Sequence, residues 1–259
     1  MIVKKFHQFI HLERGPKNTA IIDFLKNNIF QVENEVIDKF LNGKYSEISD
    51  FIRKATEEEL IIEIDNKRWI PHLSFDSETN LNADFSFELE IEEGINPSLI
   101  KYKLKYFEIF KIIFYGKRNP PKFFTSTKII KKEKNFIQCI KLSEITGEFW
   151  RISESLYSFN KKYNSCWGKK IAITKDNKIR PCIFSEIIIG DLQKDDIYDM
   201  LEKAKKYWLI TKDRIKKCKD CELRYVCFDC REIVKRKTND LYASNPYCKY
   251  NPYKGIWEN

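Results

Sequence analysis

The sequence predicts a mixed α/β (α+β) fold, and three observations carry that prediction. Val32, Val36, Ile37, Phe40 and Leu41 recur at helical spacing, and Gly43 follows where a C-terminal cap belongs. Phe85, Phe87, Leu89 and Ile91 alternate with Ser86, Glu88, Glu90 and Glu92, the period-two pattern of a strand with one buried face. Seven of the eight cysteines fall between Cys166 and Cys248. Scattered cysteines act as small hydrophobes, whereas crowded ones make sense when thiolates converge on metal.

Three segments follow. The first, residues 1–82, opens with a strand over residues 4–12, stopped by Arg14-Gly15-Pro16. After the helix that ends at Gly43, Ser46 is expected to cap a second short helix with Ile48, Phe51 and Ile52 on one face. Thr56 and three glutamates read as a further helix start or a turn. Residues 60–64 form an apolar strand, and Asp65-Asn66 a turn. Short helices before a strand hairpin suggest an N-terminal winged-helix-like module.

The second segment, residues 83–150, holds the alternating strand. Asn96-Pro97 starts a helix, residues 107–115 read as a buried strand, Pro120-Pro121 is a break, and residues 136–142 read as a third strand. Strand, helix, buried strand implies βα units with some parallel sheet. The third segment, residues 151–259, carries the cysteines. It contains a hairpin over residues 170–181 that turns at Lys175-Asp176-Asn177, then a helix over residues 196–208.

At 259 residues, 42% hydrophobic and 14% aromatic, the chain can bury a substantial core. It has no 18-residue apolar run, so no membrane partner is expected. Its start lacks a long apolar region and a small-residue cleavage site, so a cytoplasmic location is expected. In a reducing cytosol, clustered cysteines are metal ligands more often than disulfides. The net charge of +9 favours an acidic partner, although lysines spread along the chain also serve solubility.

The cysteines read C-x15-C, a 35-residue gap, C-x2-C-x5-C-x2-C, a 17-residue gap, then C. A structural zinc usually takes its ligands as two C-x2-C knuckles about 12 to 20 residues apart. Here Cys227 follows Cys221 too closely for that, and seven cysteines exceed one zinc. Three thiolates from a short loop and a fourth from a distance suit iron–sulfur clusters better.

Residues 166–257 resemble the SPASM domain of radical SAM peptide maturases. Cys166 and Cys182 match that family's first pair, with Asn177 where the family has Gly; Asn also tolerates the left-handed conformation. Cys218, Cys221 and Cys227 match the central run, Cys230 departs by one residue, and Cys248 matches the last ligand. The resemblance implies two auxiliary 4Fe-4S clusters, one on Cys218, Cys221, Cys227 and Cys248, the other on Cys166, Cys182 and Cys230. Cys139, in a predicted strand far upstream, is expected to be a packed side chain, which would leave that second cluster with an open iron.

The C-x3-C-x2-C motif that holds the S-adenosylmethionine-cleaving cluster is missing, and no cysteine precedes Cys139. No S-adenosylmethionine cluster is therefore expected. Without that motif the chain resembles the stand-alone SPASM component of grasp-with-spasm systems, and residues 19–41 also look like that family. The resemblance implies a precursor peptide and an ATP-grasp ligase as partners. It also implies that residues 83–150 are a shortened βα barrel remnant, and that the chain is a maturase component rather than a self-sufficient radical enzyme.

Other features carry less. His7 and His11 are four apart, but in a strand pattern they suggest ordinary packing or surface use. Glu88, Glu90 and Glu92 are expected on a solvated strand face. Between Lys212 and Lys237 lie ten basic and five acidic residues, read as a solvated face or as a docking site for an acidic peptide. The rival reading is a zinc-stabilised nucleic-acid-binding protein. It lacks a Lys/Arg stripe on a recognition helix, so nucleic acid is not the expected partner.

Overall fold

A computed structural model of the chain describes residues 2–69, 86–121, 127–143, 150 and 152–258, and it is a mixture of sheets and helices. The predicted strand over residues 4–12 is two strands, β1 (Ile2–Phe6) and β2 (Ile10–Arg14). They are separated by a tight turn in which Ile10 N–H donates to His7 O at 3.0 Å. That turn sends the two halves to different sheets. Strands β2, β3 (Asn18–Asp23) and β4 (Asn28–Glu33) form an antiparallel meander. Val32 belongs to β4, and α1 (Asn34–Leu41) starts just after it. Gly43 ends the helix region at φ +74°, a conformation that favours glycine.

Ser46 lies inside a single 3-10 turn (Tyr45–Ile48) and caps nothing; α2 (Ser49–Glu57) begins after Ile48 without a side-chain cap. Ile48, Phe51 and Ile52 nevertheless pack inward, joining Phe6, Ile21, Ile37 and Phe40 in the N-terminal core. Thr56 belongs to the end of α2, where its hydroxyl donates to Ile52 O at 2.8 Å. Strand β5 (Ile61–Asp65) then pairs antiparallel with β1. A partner strand for the expected hairpin would fall after Trp69, outside the described residues.

The central sheet has six strands in the order β11-β10-β9-β6-β7-β8. Its parallel part contains β6 (Ser86–Glu92), β7 (Glu108–Tyr115), β8 (Ile129–Lys132) and β9 (Lys170–Ile173). Helix α3 (Pro97–Leu104) joins β6 to β7, capped by Asn96 Oδ1 accepting from Ser98 N–H at 2.9 Å. Strands β10 (Lys178–Arg180) and β11 (Gly190–Asp191) extend the sheet antiparallel. The sheet thus draws strands from both sides of residue 150.

Residues 136–142 are not a strand. They lie in helix α4 (Phe136–Ser143), at whose start Asn135 Oδ1 accepts from Ile137 N–H at 3.0 Å. A short apolar run has no decisive period, and here the asparagine at its start settles it as a helix. The third parallel strand is β8. Helix α5 (Glu154–Lys162) precedes β9, and the hairpin β9–β10 turns at Asn177, φ +59°. Helix α6 (Ile197–Trp208) is capped by Asp196, and α7 (Arg231–Thr238) follows the cysteine loop.

The two faces of the sheet differ. Phe87, Leu89 and Ile91 of β6, Ile112 and Phe114 of β7, and Ile171 and Ile173 of β9 form the main core with α3 and α6. The opposite face carries Glu88, Glu90, Lys111, Tyr115 and Lys170. It is not solvated: Glu88 is 9% and Glu90 3% exposed. The expectation of one buried face fails because β6 is an interior strand of the sheet, with cysteine-bearing segments covering its polar side.

Candidate metal centre

The polar face of the sheet floors a cavity of about 360 Å³ lined by Cys139, Cys166, Cys182 and Cys230 together with Glu88, Glu90, Tyr115 and Lys170. Each thiol arrives on a different element. Cys139 is on α4. Cys166 lies in the turn before β9, where Asn164 Oδ1 accepts from Cys166 N–H at 2.9 Å and from Trp167 N–H at 2.8 Å. Cys182 follows β10, and Cys230 is the residue before α7. Cys166 and Cys139 both lie close enough to the Cys230 thiol to act on its pKa. Cys139 is therefore part of the lining of the same cavity, not a packed residue remote from it.

Charged groups hold this face together. Register places Glu88 between Lys111 on β7 and Lys170 on β9. Lys111 Nζ lies 2.6 Å and Lys170 Nζ 3.2 Å from the Glu88 carboxylate. Burial raises the Glu88 pKa, but the two lysines outweigh it and hold the carboxyl below its usual range. Glu90 faces Lys170 at 3.3 Å, accepts from Tyr115 Oη at 3.3 Å, and accepts from Ile183 N–H at 2.7 Å. That last bond ties the segment after Cys182 to the middle of the sheet.

The second group is Cys218, Cys221, Cys227 and Cys248: Cys248 lies close enough to act on Cys218 and Cys227, and those two close enough to act on Cys221. Cys218 opens a 3-10 turn (Cys218–Asp220) after Lys217, which has φ +65°. Leu223 N–H donates to Cys221 Sγ at 3.4 Å, and Lys212 Nζ lies 3.7 Å from Cys227 Sγ. Cys248 follows a turn closed by its own N–H to Asn245 O at 3.0 Å. Leu223, Tyr225, Val226 and Tyr250 pack around Cys221 and Cys248, and Ala20 and Ile22 of β3 join them. The N-terminal meander thus seats one face on this loop.

Burial pushes the Cys182, Cys218 and Cys221 thiols up, and Cys227 up to about 12. The hydrogen bond with Cys230, followed by burial, raises Cys166; the one with Cys139 leads for Cys230, at about 12. Such thiols are protonated at neutral pH without a cation and are poor nucleophiles. A metal would supply the positive charge that makes them thiolates. Among the described residues, no three His, Cys, Asp or Glu side chains are arranged to hold a single metal ion.

His7 and His11 do not form a pair. His7 faces Asp23 at 3.6 Å, and His11 Nε2 lies 2.6 Å from Tyr157 Oη. The basic stretch after Lys212 is not simply a solvated face. Lys212 and Arg231 are buried, Arg224 pairs with Glu13, and Arg236 pairs with Glu232. Sequence reading missed Glu88, Glu90, Lys170 and Lys212 as neighbours of the thiols. The visible signal was Lys170 at the start of the predicted hairpin, and it needed the strand order to interpret. Among the described residues, no helix is long and apolar enough to cross a membrane.

Compared with known proteins, the chain matches no family model, no curated protein and no solved structure.

Proposed function

We propose that this protein is an iron–sulfur component of a ribosomal peptide maturation system, built around a SPASM-like domain and working with an ATP-grasp ligase on a small precursor peptide. The observation that carries the reading is the sorting of eight cysteines into two sets of four: Cys139, Cys166, Cys182 and Cys230 around one cavity, and Cys218, Cys221 and Cys227 from the loop before α7 with Cys248 from beyond it. Four thiolates per set match the ligand demand of a 4Fe-4S cluster. In this reading Cys139 takes the fourth position that the resemblance left open.

Further support comes from the hairpin with Asn177 in the left-handed region and from α6 ahead of the central cysteine run. The parallel unit β6-α3-β7 fits a shortened barrel remnant. When bound, such clusters supply one-electron transfer. The chain's own residues shape the sites: Glu90 holds the segment after Cys182, Asn164 holds Cys166, and Leu223 N–H donates to Cys221 Sγ. The absence of C-x3-C-x2-C from the sequence supports a role dependent on partners rather than self-sufficient radical generation.

Anaerobic reconstitution with iron and sulfide tests the reading. It expects a brown protein holding close to eight irons, two four-iron clusters' worth. A colourless protein with stoichiometric zinc and no iron would overturn it in favour of the zinc-stabilised, nucleic-acid-binding alternative.

A further inference from the structure

Lys212 is a buried lysine, 4% exposed, placed on a 3-10 turn (Lys212–Arg214) beside the second set of cysteines. A buried ammonium needs an anion and hydrogen-bond acceptors, because its desolvation is costly. Lys212 Nζ donates to Cys227 Sγ at 3.7 Å and lies 3.8 Å from Asp229 Oδ2. Asp229 is already committed. Arg231 Nε lies 2.5 Å from its Oδ2, and Arg231 Nη2 donates to its Oδ1 at 2.6 Å. Both members of that pair are fully buried. The Arg231–Asp229 pair neutralises itself, so Lys212 carries the remaining positive charge.

Burial works against the charge on Lys212, Asp229 favours it, Cys227 and Cys218 favour it only as thiolates, and Arg231 opposes it. Neutral thiols are weak acceptors and cannot balance a buried cation. Thiolates can. We infer that Lys212 is the built-in counter-ion of an anionic centre held by Cys218, Cys221, Cys227 and Cys248, and that it sets that centre's reduction potential. This inference rests on the iron–sulfur reading above. Net charge near a cluster and hydrogen bonds to its sulfurs set its potential. A fixed cation within a few ångströms of Cys227 Sγ stabilises the reduced, more negative state, and low surrounding polarity strengthens that effect. Lys212 is a positioning residue: it touches a ligand sulfur, not a substrate.

The full chain, anaerobically reconstituted, is compared as wild type, Lys212→Met and Lys212→Arg by redox titration followed by electron paramagnetic resonance, with iron counted in each sample. Methionine keeps the volume and removes the charge; arginine keeps the charge. The expected result is a shift of one cluster of Lys212→Met to lower potential, with the other cluster unmoved and Lys212→Arg close to wild type. Loss of about half the iron from Lys212→Met, with Lys212→Arg fully loaded, supports the same role through occupancy. Unchanged potentials in a fully loaded Lys212→Met protein overturn the inference, as does an equal defect in both variants. Wild-type protein that takes up no iron would fail the iron–sulfur reading itself, a result distinct from unchanged potentials in loaded protein.

Discussion

Gln31 Nε2 donates to Glu222 Oε1 at 2.8 Å, so strand β4 is bonded to the residue that directly follows Cys221. Tyr250 Oη donates to the same oxygen, and Glu222 is completely buried. The N-terminal sheet therefore helps fix the loop that carries the second cysteine set. Gly15 is packed against this point: a Cβ there would run into Glu222 Oε2 and lie 3.1 Å from Glu222 N. Backbone nitrogen cannot give way as a side-chain end can. Gly15→Ala is expected to destabilise the protein by about 1 to 3 kcal/mol, read as a lower urea midpoint.

Cys139→Ala is expected to lower the iron content of reconstituted protein and alter one of two cluster signals. Cys221→Ala should alter the other. Iron and acid-labile sulfide analysis with low-temperature electron paramagnetic resonance separates the two cases. An unchanged iron count in Cys139→Ala would return that thiol to a packing role.

Lys170 serves two buried carboxylates at once, Glu88 at 3.2 Å and Glu90 at 3.3 Å. Lys170→Met leaves Glu90 without its cation, and breaking a buried pair in this way costs about 3 to 5 kcal/mol. Thermal unfolding of the variant should show a large drop in midpoint. Lys4→Met, which breaks an exposed pair with Glu63, should change stability by less than about 1 kcal/mol.

Glu13 joins strand β2 to the cysteine loop through Arg224 and accepts from Tyr157 Oη at 2.6 Å. Burial raises its pKa, but the bonds with His11 and Tyr157 and the Arg224 charge outweigh it, so the carboxyl sits below its usual value. A folded-state pKa below the unfolded one adds stability above the unfolded value, about 4.3, and that stability is lost as pH falls through the folded value. The stability gap between wild type and Glu13→Gln should be widest above about pH 4.3 and narrow at lower pH. A gap that stays constant with pH would contradict the assignment.

Reduced, iron-loaded protein incubated alone with S-adenosylmethionine should yield no 5′-deoxyadenosine or methionine above a protein-free control. The reason lies in the sequence, where no two cysteines are separated by the three intervening residues of a C-x3-C step. Production well above the control would restore a self-sufficient radical enzyme.

Several features were legible in the sequence because their causes are local. The alternation before Glu92, the Asn96-Pro97 helix start, the helical period over residues 196–208 and the Asn177 turn are each decided within a few residues, and the structure realises them as β6, α3, α6 and the β9–β10 hairpin. The division of the cysteines into two candidate ligand sets came from the resemblance to the SPASM family, not from their spacing. Strand order and crossover packing decided the rest. Glu88 and Glu90 became buried because β9 returns to the far side of β6 and brings Lys170 into register. Cys139 reached Cys166, Cys182 and Cys230 because residues 136–142 are helical and lie against the polar sheet face. Arg231 lies 2.5 Å from the Asp229 carboxylate and Lys212 Nζ 3.8 Å from it, an arrangement that the chain's linear order does not show. Spacing along a chain describes which groups exist; which charges and thiols face one another depends on non-local pairing, and a short apolar run alone does not specify that pairing.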